Sequence, residues 1–127
     1  MVSVSKLKLR RKIVRAAITR TINRIKRGWT KDVPARTSSG VPCLPRCTKA
    51  VKWCAVGAVS ASCVDFDTAS LIRRTADKIV SSRSRVCSLV DFNDHVATKR
   101  SDVISIFEQA YNLVGDDKYL RDLVRTM

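Results

Sequence analysis

The N-terminal segment constrains the fold more than any other part of the chain. Residues 1–31 contain eleven lysines and arginines and no aspartate or glutamate, so they supply +11 of the formal net charge of +14. Such a segment cannot neutralise itself and must face solvent or meet negative groups elsewhere. Its apolar residues nevertheless recur at helical spacing, which predicts an amphipathic helix over residues 5–28, ended by Gly28. The apolar stripe consists of Leu7, Val14, Ile18, Ile22, Ile25 and Trp29.

The charge excess indicates a polyanionic partner, and nucleic acid is the commonest large polyanion in a cell. Six to ten phosphate contacts would lower affinity about 10³- to 10⁵-fold between 50 and 200 mM salt. An acidic protein surface, a solvated face without a partner, and an interfacial helix on a membrane are the alternatives. The cations that we expect to contact phosphates are Lys8, Arg10, Arg11, Lys12, Arg15, Arg20, Arg24, Lys26, Arg27 and Lys31.

The middle of the chain changes character after this basic segment. Residues 32–50 hold all three prolines and a Thr-Ser-Ser run, which predicts a long loop. In residues 51–63, Cys54, Ala55, Gly57, Ala58 and Ala61 are small, and we predict a helix there whose small side allows other helices to approach closely. We therefore expect this helix to be the central one, with the basic N-terminal helix protruding.

The C-terminal half reads as further helices. A helix over residues 68–83 should be capped by Asp65 or Asp67. Residues 86–92 predict a short strand or an extended linker, and Asn93-Asp94-His95 predicts a turn. Two last helices follow, over 99–114 with Thr98 or Ser101 as the cap and Gly115 as the stop, and over 117–126.

These elements predict a mostly α-helical single domain, 1–127, of four to five helices, with a long proline-containing loop and at most one short strand pair. Residues 1–28 form its basic amphipathic helix, 32–50 its loop and 51–127 its helical core. Because no run of about 18 apolar residues occurs, we expect no transmembrane segment. A mitochondrial-type presequence is an alternative for the N-terminal segment, since such peptides are also amphipathic and rich in arginine.

The chain has five cysteines, an odd number, and the N-terminus lacks the apolar run of an export signal. This indicates reduced thiols in the cytoplasm. Cys43-Leu-Pro-Arg-Cys47 resembles half of a zinc site that Cys54 or Cys63 could complete, but no second pair with metal-ligand spacing is present. We expect small buried or half-buried thiols, no metal and no other cofactor; a zinc site and a disulfide are the alternatives.

A catalytic reading starts from Cys54 at a helix N-terminus, where the pKa of a thiol can be lowered, with His95 and Asn93 or Asp94 as its partners. The apolar neighbours of Cys54 are typical of a packed thiol, and Asn93-Asp94-His95 is equally good turn chemistry. No glycine-rich phosphate loop occurs. We therefore expect that the protein is not an enzyme.

Three short motifs occur in a fixed order: Gly28-Trp29-Thr30, Trp53-Cys54-Ala55-Val56-Gly57-Ala58, and Phe92-Asn93-Asp94 followed by Thr98 and 103–110. The series resembles an uncharacterised family of small phage and bacterial proteins with a "GWT", "CAxGA" and "WND…T…EV" pattern. The chain departs from that pattern at Phe92, where the family tends to have tryptophan. It also departs at Asp102, which lies one place late for a capping box with Thr98. The resemblance implies a phage or its host as origin and a mostly helical fold, and it implies no mechanism.

We expect a non-catalytic, phage-encoded binding protein that contacts nucleic acid, or an assembly containing it, in the cytoplasm of a bacterial host. The alternatives are an inhibitor that binds a host nucleic-acid-handling or defence complex, and a structural component of the phage particle. On the first interpretation, deletion of residues 1–27 should abolish binding to generic DNA or RNA.

Overall fold

The basic N-terminal segment forms the longest helix of the protein. In the computed structural model, which describes residues 2–127, helix α1 spans Val4–Arg27. Met1, which belongs to the predicted segment 1–28, lies outside the described residues. Ser3 caps the helix by accepting the backbone N–H of Lys6 at 3.2 Å. The predicted apolar stripe is confirmed, because Leu7, Val14, Ile18 and Ile25 are buried and Ile22 and Trp29 are partly buried.

Helix α1 lies at the centre of the molecule. It contacts the sheet and four of the other helices, so its stripe is covered along its whole length. The prediction that α1 protrudes from a core centred on residues 51–63 is therefore wrong. The physical reason is that the apolar stripe runs along a helix of 24 residues. Such a helix buries the most apolar surface when several elements pack against its stripe.

A small antiparallel sheet occupies the loop region. Strands β1 (Ala35–Arg36), β2 (Pro42–Cys43) and β3 (Lys52–Trp53) pair in the order β2-β1-β3, with Ala35 opposite both Cys43 and Trp53. The mostly α-helical class with a short strand pairing is confirmed, and a third short strand adds to the expected pair. The start of the predicted helix 51–63 is wrong, because residues 52–53 are extended.

Helix α2, Ala55–Ser62, follows β3 directly. Cys54 caps it, with its Sγ accepting the backbone N–H of Gly57 at 3.3 Å. A Cβ atom at Gly57 would overlap the carbonyl oxygen of Pro34. Gly57 therefore admits the backbone of the loop, and α2 also packs closely on α1 and α3, as we expected of a helix with small side chains.

Helix α3 spans Phe66–Arg83, and Asp65 is its cap, as one of the two predicted alternatives states. The Asp65 carboxylate accepts the N–H of Thr68 at 2.7 Å and its hydroxyl at 3.0 Å. These hydrogen bonds lower the pKa of Asp65, because they favour its charged form.

The segment after α3 differs from the prediction. A helical turn, α4 (Leu89–Asp91), continues into a π-helical turn, Phe92–Val96, where we predicted a strand or linker and a turn. Ser88 Oγ accepts the N–H of Asp91 at 3.1 Å and so caps this turn. Leu89 and Phe92 are both buried, and this three-residue spacing belongs to a helix and not to a strand.

Helices α5 (Arg100–Leu113) and α6 (Asp117–Arg125) complete the fold near their predicted bounds. Neither Thr98 nor Ser101 is the residue that caps α5, because the helix begins after Lys99. Asp102 instead reaches back and accepts the N–H groups of Thr98 at 2.9 Å and Lys99 at 3.2 Å. Among residues 2–127, no helix combines the length and the apolar character that crossing a bilayer requires.

Candidate nucleic-acid interface

The ten cations predicted to bind phosphate divide into two groups. Half of them are half-buried, namely Arg10, Arg11, Arg15, Arg24 and Lys31. The exposed ones lie on the side of α1 that faces away from its apolar stripe, and we call this side the outward face. They are Lys8, Lys12, Arg20, Lys26 and Arg27.

Two of the half-buried arginines lie at the C-terminal end of α5. Arg11 Nε donates to the carbonyl of Val114 at 2.9 Å, and Arg15 Nε donates to that of Tyr111 at 3.1 Å. Arg11 also pairs with Asp117, and the Arg15 guanidinium lies 4.5 Å from the centre of the Tyr111 ring. These groups satisfy carbonyls that the end of a helix leaves without a partner.

Three further arginines form hydrogen bonds at the C-terminal end of α2. Arg20 Nε donates to the carbonyl of Ser62 at 2.9 Å, and Arg24 Nη1 donates to the Ser62 hydroxyl at 3.0 Å. Arg46, which comes from the loop, donates to the carbonyl of Cys63. Neither α2 nor α5 has a basic residue in its own last turn, so arginines from elsewhere supply the cation that the helix dipole favours there.

The remaining two half-buried cations have other neighbours. Arg10 Nη1 donates to the hydroxyl of Thr68 at 3.4 Å, and Lys31 Nζ lies 5.5 Å from the centre of the Trp29 ring. Both interactions leave part of the cation open to solvent, since both residues are only half-buried.

Three arginines converge beside α2 and the loop. Arg24, Arg27 and Arg46 line a cleft of about 330 Å³, which we call the arginine cleft. Trp53, only 6% exposed, lies beneath two of them, with its ring centre 5.6 Å from the Arg24 guanidinium and 5.4 Å from that of Arg27. The other lining residues in the described chain are uncharged: Pro45, Cys47, Thr48, Ala50 and Ala61.

The electrostatics of the arginine cleft favour an anion. The pKa of Arg24 is lowered, chiefly by burial and then by the charges of Arg27, Arg20 and Arg46. Its Nε atom is buried and has no hydrogen-bond partner within residues 2–127. Mutual repulsion of guanidinium groups and an unmatched donor both cost free energy, and a bound anion would relieve both.

Sequence reasoning missed Arg46 and the position of Trp53. Arg46 is a single basic residue between Pro45 and Cys47, in a loop without periodicity. Nothing local distinguishes it from any other exposed arginine. Only its hydrogen bond to Cys63, which is 17 residues away in sequence, brings it to the cleft.

Among the residues of the catalytic alternative, Asn93 has structural partners at every polar atom of its side chain. Asn93 Oδ1 accepts the indole N–H of Trp29 at 2.8 Å and the backbone N–H of Ala55 at 2.9 Å. Its Nδ2 donates to the carbonyl of Thr30 at 3.2 Å and to Asp94 Oδ1 at 2.8 Å. All four hydrogen-bonding positions of the amide are thus occupied. The three sequence motifs meet at this one buried side chain.

The cysteine thiols differ in their surroundings. Burial raises the pKa of Cys54, the opposite of the lowering that a nucleophilic thiol needs, and raises that of Cys63 to about 11. Burial and then Cys47 raise the pKa of Cys43. Throughout residues 2–127 all five cysteines are free thiols, and no three His, Cys, Asp or Glu side chains are grouped so as to hold a metal ion.

The fold and the arrangement of its cations define a class: a small helical domain built around a basic central helix. The model of a family of unknown function (DUF6197) matches residues 10–113, and the chain belongs to that family. The resemblance carried by the three motifs is thereby confirmed. No curated protein and no solved structure matches the chain.

Proposed function

We propose that the protein is a non-catalytic binding protein that contacts nucleic acid, or an assembly containing it, through phosphate contacts of α1. One observation carries the proposal. Of the eleven lysines and arginines of α1 and the residues just after it, only Arg11 pairs with a carboxylate in the part of the chain that the structure describes. The positive charge is therefore balanced from outside the chain, and a polyanion supplies that balance best.

The position of α1 defines the kind of contact. Its sides are packed on other helices, so it does not enter a groove as a free helix. Its outward face presents Lys8, Lys12 and Lys26, whose first and last members are about 27 Å apart at 1.5 Å per residue. Flexible lysines over such a length suit backbone phosphates, which position a protein without reading base sequence.

Phage origin and a cytoplasmic location are further parts of the proposal. The first rests on the resemblance of the three sequence motifs to small phage and bacterial proteins, and the odd number of cysteines supports the second.

A matched pair of variants tests the proposal. One variant carries Lys8→Gln, Lys12→Gln and Lys26→Gln on the outward face. The control carries Arg73→Gln, Arg85→Gln and Lys118→Gln, which remove three equally exposed cations elsewhere. Binding of fluorescent DNA and RNA is measured by anisotropy over a salt series. Because the first variant cannot neutralise three of the phosphates, its salt slope on duplex DNA should fall by up to about 2.7, and the control should keep the slope of the native protein.

Two outcomes would contradict the proposal. Absence of binding to any nucleic acid at low salt is the first, and an equal loss in both variants, which would mean that net charge alone acts, is the second. Capture of a single host protein after nuclease treatment, without nucleic-acid binding, would instead favour an inhibitor of a host complex.

A further inference from the structure

An aromatic side chain is exposed close to the arginine cleft. Phe66, the first residue of α3, is 84% exposed, and its neighbour Val64 is 82% exposed. The core under α3 is formed by later residues such as Leu71 and Ile72, so the Phe66 ring contributes almost nothing to it. Phe66 and Val64 together form an exposed apolar patch beside a charged residue, and such patches rimmed by polar groups are typical of binding surfaces.

Arg46 connects Phe66 to the arginine cleft. It lines that cleft and also a neighbouring one of about 300 Å³, whose wall includes Phe66, Val64 and Ala69. Its guanidinium is held in place because it donates to the carbonyl of Cys63. Arg46 is therefore part of both clefts. The guanidinium groups of the arginine cleft, which can bind a phosphate, adjoin a cleft that contains the flat apolar ring of Phe66.

We infer that the two clefts together bind single-stranded nucleic acid, with a phosphate in the arginine cleft and a base stacked on Phe66. The inference rests on the proposed function and names its substrate class. Bases of a duplex are stacked and paired internally, and a flat exposed ring cannot reach their faces. Unpaired bases present those faces, and stacking on aromatic side chains is the usual way in which proteins bind them.

The phosphate belongs in the arginine cleft for three reasons. Arg24 Nε is a buried donor without a partner, and Arg27 makes no side-chain hydrogen bond among the described residues. Guanidinium groups bind phosphate oxygens through two parallel N–H groups. The neighbouring cleft contains the carboxylate of Asp65, which caps α3 and would repel a phosphate there.

Trp53 has a supporting part in this site. Its ring is almost completely buried, and its indole N–H donates to the carbonyl of Pro45 at 3.0 Å, so it does not stack on a base. The guanidinium groups of Arg24 and Arg27 lie over it, and this stacking limits the directions in which they can point.

The test compares single strands with duplexes on the full chain. Fluorescent DNA and RNA single strands of about 12 nucleotides, a length that suits a single-strand-binding domain, are titrated beside the matching duplex. The native protein should bind the single strand more tightly. Phe66→Ala, which removes an exposed ring and leaves the core intact, should weaken single-strand binding by about fivefold or more and leave duplex binding unchanged. Phe66→Trp should restore single-strand binding.

A second variant tests the phosphate position. Arg27→Gln should weaken single-strand binding more than Arg73→Gln, which removes an equally exposed arginine on α3. Equal affinity for single strand and duplex, together with unchanged binding in Phe66→Ala, would overturn this inference and leave the proposed function standing. Failure of the native protein to bind either probe would overturn both.

Discussion

Asn93 joins parts of the chain that are far apart in sequence. Its buried amide contacts Trp29 and Thr30 after α1, and Ala55 at the start of α2. We predicted a turn at Asn93 because Asn-Asp pairs favour turns. That reasoning sees only neighbours in sequence, whereas the partners of this amide from α1 and α2 are brought to it by packing. The hydrogen bonds of this amide give the family motifs that meet here a role in folding.

Asn93→Ala should destabilise the protein. The substitution leaves the Trp29 indole N–H and the Ala55 N–H buried without an acceptor, and each such loss costs about 1–3 kcal/mol. We expect the free energy of unfolding in urea to fall by about 2–4 kcal/mol. Asn23→Ala, at a position of α1 outside the apolar stripe, is the control and should change it by less than about 0.5 kcal/mol. Equal effects of the two substitutions would refute the role given to Asn93.

At the scale of elements, side chains of one helix form hydrogen bonds with the last carbonyl groups of another. The apolar periodicities of α1, α3 and α5 are local, and the sequence predicted these helices with nearly correct bounds. The arginines that α1 supplies to the ends of α2 and α5 could not be predicted, because such hydrogen bonds depend on which helices are neighbours. We expected these arginines to bind phosphate, and part of their hydrogen-bonding capacity is used inside the molecule.

Asp102 makes the stability of α5 depend on pH. Its pKa is lowered from 3.8, chiefly by the hydrogen bond from the N–H of Thr98. A carboxyl group whose pKa is lower in the folded state than in the unfolded state stabilises the fold at pH values above the unfolded pKa. This contribution is lost as the pH falls through the folded pKa. Asp102→Asn should therefore lower the unfolding free energy by about 0.5–1 kcal/mol at neutral pH.

The difference between native protein and Asp102→Asn should shrink as the pH is lowered below 3.8, when measured by urea denaturation at several pH values. Gln109→Ala, at an exposed site in the middle of α5, is the control and should change the unfolding free energy by less than about 0.5 kcal/mol at each pH. A difference between native protein and Asp102→Asn that stays constant with pH would contradict this account of the α5 start.

At the scale of the whole molecule, α1 contributes both core residues and exposed positive charge. The stripe of α1 is buried against most of the fold, while the five cations of its outward face pair with no carboxylate in the described part of the chain. Deletion of α1 therefore removes core residues together with the cations. The sequence alone suggested that the same deletion would remove only the nucleic-acid-binding charge.

Deletion of residues 1–27 should unfold the protein. The deletion removes Leu7, Val14, Ile18 and Ile25, and burial of each such side chain contributes about 1.5–3 kcal/mol. Their sum is comparable to the about 5–15 kcal/mol that holds a typical domain folded. We expect loss of cooperative thermal unfolding by circular dichroism, whereas the lysine-to-glutamine variant of the outward face keeps a native transition. A cooperative transition in the truncated chain would show that α1 is dispensable to the core.

The sequence by itself determined the helices with a strong 3.6-residue period and the concentration of positive charge in residues 1–31, and it narrowed the cap of α3 to Asp65 or Asp67. These follow from interactions within a few residues along the chain. Tertiary structure decided the rest: the two-residue strands, the helical turn at Leu89–Asp91, the central place of α1 and the arginine cleft. Two-residue strands are marked by no periodicity, and a cleft between α1, α2 and a loop exists only once these segments pack. Composition revealed how much positive charge the protein carries, and packing selected which of those charges remain available to a partner.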